Sequence, residues 1–135
     1  MRRLWKPLRI TPQWTLTTAM CHFNTSTRDY GSIPELLEDR EWATATANGD
    51  RIGVQTSDVI LAIYIPEEED VGMGVELGMA QALGKYNLIV IPDEDWGKPI
   101  NLMTYGAGDH FIKLSELENY NFNRPSFNFY EGAVY

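Results

Sequence analysis

Two acidic residues, Asp70 and Glu76, stand six positions apart in the stretch DVGMGVELGMAQALGK, and no other pair in the chain has a spacing so suggestive of chemistry. Two carboxylates flanking an anomeric carbon are the usual equipment for glycosyl transfer with retention, one of them attacking the sugar to form a covalent ester. Glu76 falls near the start of a predicted helix, where the dipole keeps a partly desolvated carboxylate ionised and able to attack. The same position equally suits a structural carboxylate held by that dipole, and spacing alone does not choose between the two. Gly72 and Gly74 lie between the acids in what reads as a turn, and would let a ligand approach the backbone. Glu67, Glu68 and Glu69 read as a solvated loop. His22 and His110 are too far apart in sequence to suggest a metal site, so no metal is expected, and His110 reads as a partly buried structural residue. Gly72-Met73-Gly74 is only a fragment of a dinucleotide fingerprint.

These residues need a scaffold. Val59 to Ile65 is continuously apolar and rich in β-branched side chains, the pattern of a strand covered on both faces in a parallel sheet, and Pro66 ends it. From Gly72 onward Val75, Met79 and Leu83 recur at helical spacing until Gly84, a natural residue to follow a helix C-terminus. Asn87 to Ile91 reads as a second buried strand, and strand, helix and strand at this spacing predict a right-handed βαβ unit. Glu76 then lies at the carboxyl edge of an open α/β sheet, where ligands bind.

Upstream, Pro34 to about Val54 reads as a helix with Ser32 as its N-cap and an apolar stripe of Leu36, Leu37, Trp42 and Ala45, bent or divided at Asn48-Gly49-Asp50. Downstream, Asn101 to about Gly108 predicts a short helix, His110 to Lys113 a third strand, and Ser115 with Glu118 a capping box. The ending NFNRPSFNFYEGAVY is too aromatic for a solvated terminus and should lie against its own or a neighbouring subunit. Residues 1 to about 32 hold two of the four Trp and show no sustained periodicity, so they give no secondary-structure reading.

At 135 residues, with 44% hydrophobic and 22% charged residues, the chain has the size and composition of one globular domain. A net charge of -8 argues against a phosphate-backbone partner or an anionic membrane surface, so neither nucleic acid nor membrane is expected. The single cysteine, Cys21, excludes an internal disulfide and a cysteine metal cage and suits a reducing, cytoplasmic setting. No apolar run approaches the roughly 18 residues of a membrane span, and no signal peptide is visible.

WATATANGD, SDVILAIYIPEEEDVGMGVELGMAQALGKY, IPDEDWGKPINLM and the closing NFNRPSFNFYEGAVY together resemble the nucleoside 2-deoxyribosyltransferases of lactobacilli, over residues 34 to 135. The resemblance implies a flavodoxin-like (Rossmann-like) α/β fold, a parallel sheet with flanking helices, assembled as a homohexamer of paired subunits. It implies exchange of the base of a 2-deoxynucleoside for a free purine or pyrimidine base, in nucleotide salvage, through a deoxyribosyl-enzyme ester that needs no cofactor. By motif, Glu76 resembles the nucleophile and Asp70 the carboxylate that holds the deoxyribose hydroxyls and orients it. Asp50 resembles the base-contacting aspartate that handles the proton on the leaving or incoming base. Asn101 and Met103 resemble residues lent to the neighbouring subunit's pocket, and Tyr135 the terminal residue whose carboxylate reaches the sugar site.

The front of the chain departs from the family, whose first strand, first helix and Gln-Tyr-Lys-Gly stretch are not visible in residues 1 to 32. If Met1 to Lys6 is written ATG CGG AGG CTT TGG AAG, reading from the third base gives Ala-Glu-Ala-Leu-Glu, and with synonymous codons the shifted frame through Ser32 can be written to include that Gln-Tyr-Lys-Gly. Residues 1–32 are therefore expected to be a non-family, out-of-frame segment and 33–135 the family-like domain, with weak or absent activity in this chain. Two alternatives stay open: a hydrolase of the same fold that cuts the N-glycosidic bond with water, and an inactive remnant that keeps only assembly surfaces.

Overall fold

A computed structural model of the chain describes residues 16–18 and 40–135. Four parallel strands form one sheet: β1 (Leu16–Thr18), β2 (Val59–Ile63), β3 (Tyr86–Ile91) and β4 (His110–Lys113), in the spatial order β1-β2-β3-β4. Val59 pairs with Tyr86 across β2 and β3, and Leu88 with His110 across β3 and β4. Among the described residues three α-helices accompany them, α1 (Arg40–Thr56), α2 (Val71–Ala82) and α3 (Leu102–Ala107), with 3-10 turns at Asp93–Asp95 and Leu114–Asn119.

Strand alternation divides the core into two faces. Ile60, Ala62, Ile89, Ile91 and Phe111 pack with Val54 of α1, Met73, Leu77 and Ala80 of α2 and Ala107 of α3. Val59, Leu61, Leu88, Val90 and Ile112 point the other way and meet Leu117, Tyr120 and Phe122. Because the strands follow one another in sequence order with no reversal, right-handed crossovers bring the described helices to a single face.

Several expectations shift against this frame. A three-residue strand, Leu16–Thr18, lies in the segment that gave no secondary-structure reading, and it runs parallel to Val59–Leu61. The expected N-cap Ser32 and the apolar Leu36 and Leu37 fall outside the described residues, as does the boundary near residue 32. Helix α1 runs unbroken through Asn48-Gly49-Asp50, whose propensity cost is outweighed by the turns on either side. Its buried residue is Val54, while Ala45 is exposed. In α2 the core strip is Met73, Glu76, Leu77 and Ala80 rather than Val75, Met79 and Leu83, since Val75 and Leu83 are more than half exposed and Met79 only borders the core. Gly84 follows the helix with φ 72, the left-handed conformation that suits glycine there.

The tail lies on its own chain. Asn128 acts as a one-residue edge strand, its Oδ1 accepting from Phe111 N at 2.7 Å and its Nδ2 donating to Phe111 O at 2.8 Å. Tyr130 is buried against Trp96 and Phe111, and its hydroxyl donates to Lys98 O and accepts from Gly97 N. The predicted capping box moves by two residues: Lys113 N donates to Glu116 Oε2 at 2.7 Å, while Ser115 is bound through its N and hydroxyl to Asp93, whose carboxyl those bonds hold below the usual carboxylate range.

Candidate active site

Strands β2 and β3 release their chains at the same edge of the sheet. After β2 the chain passes through buried Tyr64 and the acidic loop to Asp70, and after β3 it passes through the Asp93–Asp95 turn to Asn101. A cavity of about 370 Å³ opens beyond these ends, between α2 and α3. Tyr64, Glu69, Asp70, Gly74, Gly78 and Gln81 line one wall, and Asn101, Met103 and Thr104 the other.

Its polar residues are fixed by local helix geometry. Asp70 is the N-cap of α2, with extended backbone at φ -104 and ψ 112, and its Oδ1 accepts from Met73 N at 3.2 Å. Asn101 caps α3, its Oδ1 accepting from Met103 N at 2.7 Å, and the Tyr64 hydroxyl accepts from Asn101 N at 3.3 Å. The first three acids of the charge run are exposed, as expected of a solvated loop, yet two have partners. Lys98 reaches Glu67 at 3.2 Å and Asp95 at 2.7 Å, which holds its ammonium above the usual lysine range. Tyr135 donates its hydroxyl to Glu69 Oε1 at 2.6 Å, a bond that pushes the tyrosine up to about 12.

Glu76 is placed differently. It is 9% exposed and is the one charged side chain among the described residues that counts as buried. It sits six residues past the Asp70 cap, beyond the first turn, so the N-terminal position expected for it belongs to Asp70 and the dipole acts on it weakly. With about 100° between successive residues, Glu76 lies on the far side of α2 from Gly74, Gly78 and Gln81. The cavity lining accordingly includes Asp70, Asn101 and Met103 but not Glu76, Asp50, Gly72 or Tyr135. Gly72 is part of the first turn of α2, not of a separate loop before it. Asp50 is half-buried on α1, which packs against α2. Tyr135 is tied to the rim, its N donating to Ile100 O at 3.0 Å and its main-chain oxygen accepting from Leu102 N at 2.8 Å.

Tyr64, Gln81 and Thr104 went unread in the sequence. Tyr64 continues the alternation of Ile60 and Ala62 toward the helix-bearing face, and Gly74, Gly78 and Gln81 keep helical spacing, so the period-two and period-3.6 signals contained them.

A parallel α/β sheet with a polar cavity at its carboxyl edge and a buried carboxylate on the adjoining helix is the framework of a small-ligand protein. The nucleoside 2-deoxyribosyltransferase family model matches residues 11–103, and the chain belongs to that family. It is 62% identical over 102 residues to a nucleoside deoxyribosyltransferase of Lactobacillus leichmannii, a match covering 76% of this chain and 65% of that protein. A nucleoside deoxyribosyltransferase of Lactobacillus johnsonii is 61% identical over 102 residues, covering 76% of this chain and 68% of that protein, and one of Limosilactobacillus fermentum is 35% identical over 91 residues. The chain thus spans about two thirds of the length of the first two relatives. None of the helices among the described residues is long and apolar enough to cross a membrane.

Proposed function

We propose that the chain transfers 2-deoxyribose between nucleobases by double displacement, with Glu76 as the nucleophile. The observation that carries the reading is the burial of that carboxylate in a protein of this family. Removing a carboxylate from water is costly, and this one stands on a strip otherwise made of Met73, Leu77 and Ala80.

In the first step a Glu76 oxygen forms a bond to C1′ as the N-glycosidic bond breaks, and the bonding pair leaves with the base, which takes up a proton from Asp50. In the second, a nitrogen of the incoming base attacks C1′, the ester C–O bond breaks, the Glu76 carboxylate is restored and Asp50 receives the proton. Two inversions give retention. Asp70 holds the deoxyribose hydroxyls, next to Gly72 in the first turn. The partners are 2-deoxynucleosides and free purine or pyrimidine bases, in cytoplasmic nucleotide salvage, with no cofactor.

Helix α2 separates Glu76 from Asn101 and Met103, which supports the reading that these two residues serve a neighbouring copy. Met103 is 73% exposed, and Val71, Val75 and Leu102 beside it are more than half exposed, an apolar surface suited to subunit pairing. A homohexamer is the proposed assembly, with Tyr135, bound through its main chain to Ile100 and Leu102, at the same boundary. Incubating the chain with deoxyinosine and adenine tests the function: deoxyadenosine is the expected product, free deoxyribose alone marks a hydrolase, and no reaction marks an inactive remnant.

A further inference from the structure

Asn87 occupies a position where an amide is out of place: it is the second residue of β3, it is fully buried, and strands ordinarily exclude asparagine. Its Nδ2 donates to Leu77 O at 3.1 Å and to Ala107 O at 3.0 Å, so one side chain joins the middle of α2, the end of α3 and the sheet beneath them. Its main chain is committed to the same corner, N donating to Asp109 Oδ2 and O accepting from Asp109 N, both at 2.9 Å. Among the described residues its Oδ1 has no hydrogen-bond partner. A buried amide kept with one oxygen orphaned is held for its two donors, because an apolar side chain would fill the space without that loss.

The two carbonyls it grips belong to residues that line the cavity. Leu77 directly follows Glu76, and Ala107 ends the helix that forms the other wall of the cavity. A second tie, Gln81 Nε2 to Gly106 O at 2.7 Å, closes the same end of the α2–α3 pair near the surface. The opposite end, between Asp70 and Asn101, is left open as the cavity mouth.

From this geometry we infer that Asn87 is a positioning residue: its amide fixes the rotation and depth of α2 and so sets where the Glu76 carboxylate stands relative to C1′. The inference rests on the proposed role of Glu76. Misplacing a nucleophile by an ångström costs turnover more than binding, because the ground-state contacts survive while the attack geometry does not.

The test uses the full chain with Asn87→Leu and Asn87→Asp, the latter a second variant in case the first folds poorly. In Asn87→Asp the neutral carboxyl group keeps one donor, and burial raises its pKa, so that donor is present below the raised value and lost as pH climbs through it. For base exchange, Asn87→Leu is expected to lower kcat at least tenfold with KM within twofold. Asn87→Asp should fall between parent and Asn87→Leu at low pH and lose turnover as pH rises through the raised pKa of the new carboxyl group, a step added to whatever pH dependence the parent shows. Independently of activity, the carbon-13 titration of the Glu76 carboxyl should shift its midpoint in Asn87→Leu. A parent that exchanges bases and an Asn87→Leu protein with unchanged kcat and unchanged Glu76 titration overturn the inference and leave the transferase reading intact. A parent that exchanges nothing while the Glu76 titration still moves overturns the transferase reading and upholds the clamp, and an inactive parent with an unmoved titration overturns both.

Discussion

The hydroxyl of Tyr135 and the carboxylate of Glu69 meet at 2.6 Å, joining the last residue of the chain to the loop that precedes α2. Main-chain bonds from Tyr135 to Ile100 and Leu102 hold the same residue against the start of α3. Tyr135 therefore links Glu69, on one wall of the cavity, to the residues on either side of Asn101, on the other.

The alkaline titration of that tyrosine reports the bond. Its pKa is pushed up to about 12, first by the Glu69 hydrogen bond and then by burial, from an unfolded value of 10.0. The raised value means the contact is fully present below pH 10 and is lost as pH rises from there toward about 12. Ultraviolet titration of tyrosinate is expected to lose its component near 12 in Tyr135→Phe and to see it fall toward the ordinary range in Glu69→Gln.

Glu76→Gln removes the nucleophile while keeping shape and burial. Deoxyadenosine formation from deoxyinosine and adenine is expected to fall by roughly 10⁴-fold or more, as for other enzymes that lose the group forming the covalent intermediate. The folded state should survive, because a neutral amide replaces a charge on the core strip of α2. Circular dichroism checks the fold, and a variant that exchanged bases at the parent rate would remove Glu76 from the mechanism.

Packing at the end of α3 leaves no room for a side chain at Gly108. A Cβ there would run into the Phe111 ring and stand 2.9 Å from Ile89 Cγ1, both in the core beneath the cavity. Gly108→Ala is expected to destabilise the protein by about 1–3 kcal/mol, the usual cost of overpacking, read as a lower urea midpoint with an unchanged slope.

Much of this arrangement could be read from residue order. Continuous apolar runs marked β2 and β3, the helical spacing ending at Gly84 marked α2, and Asn101 marked the start of α3. What the periodicity missed was rotation: Val75 and Leu83 follow the helical spacing yet face outward, and the core strip instead includes Glu76. An acid among apolar positions is invisible to a hydrophobic pattern, so its burial, and its separation from Asn101 and Met103 by the body of α2, emerged only in three dimensions. Asp70 was legible as a carboxylate six residues from Glu76 and Asn101 through its motif, while their roles as caps of α2 and α3 emerged in the structure.

The edge of β2 supplies the last prediction. Among the described residues, β1 pairs with Val59, Ile60 and Leu61, and β3 with Val59 to Ile63. Tyr64, Glu69 and Asp70 follow β2, so how firmly β2 is held in the sheet bears on the cavity and on the start of α2. Replacing residues 1–32 with the N-terminal region of the Lactobacillus leichmannii relative changes the segment that supplies β1. The chimera is expected to raise kcat for base exchange by roughly 10²-fold, the scale of effect that repositioning catalytic groups by about an ångström produces, and to raise the thermal midpoint. Equal rates and equal midpoints for chain and chimera would show that residues 1–32 as they stand already hold β2 as firmly.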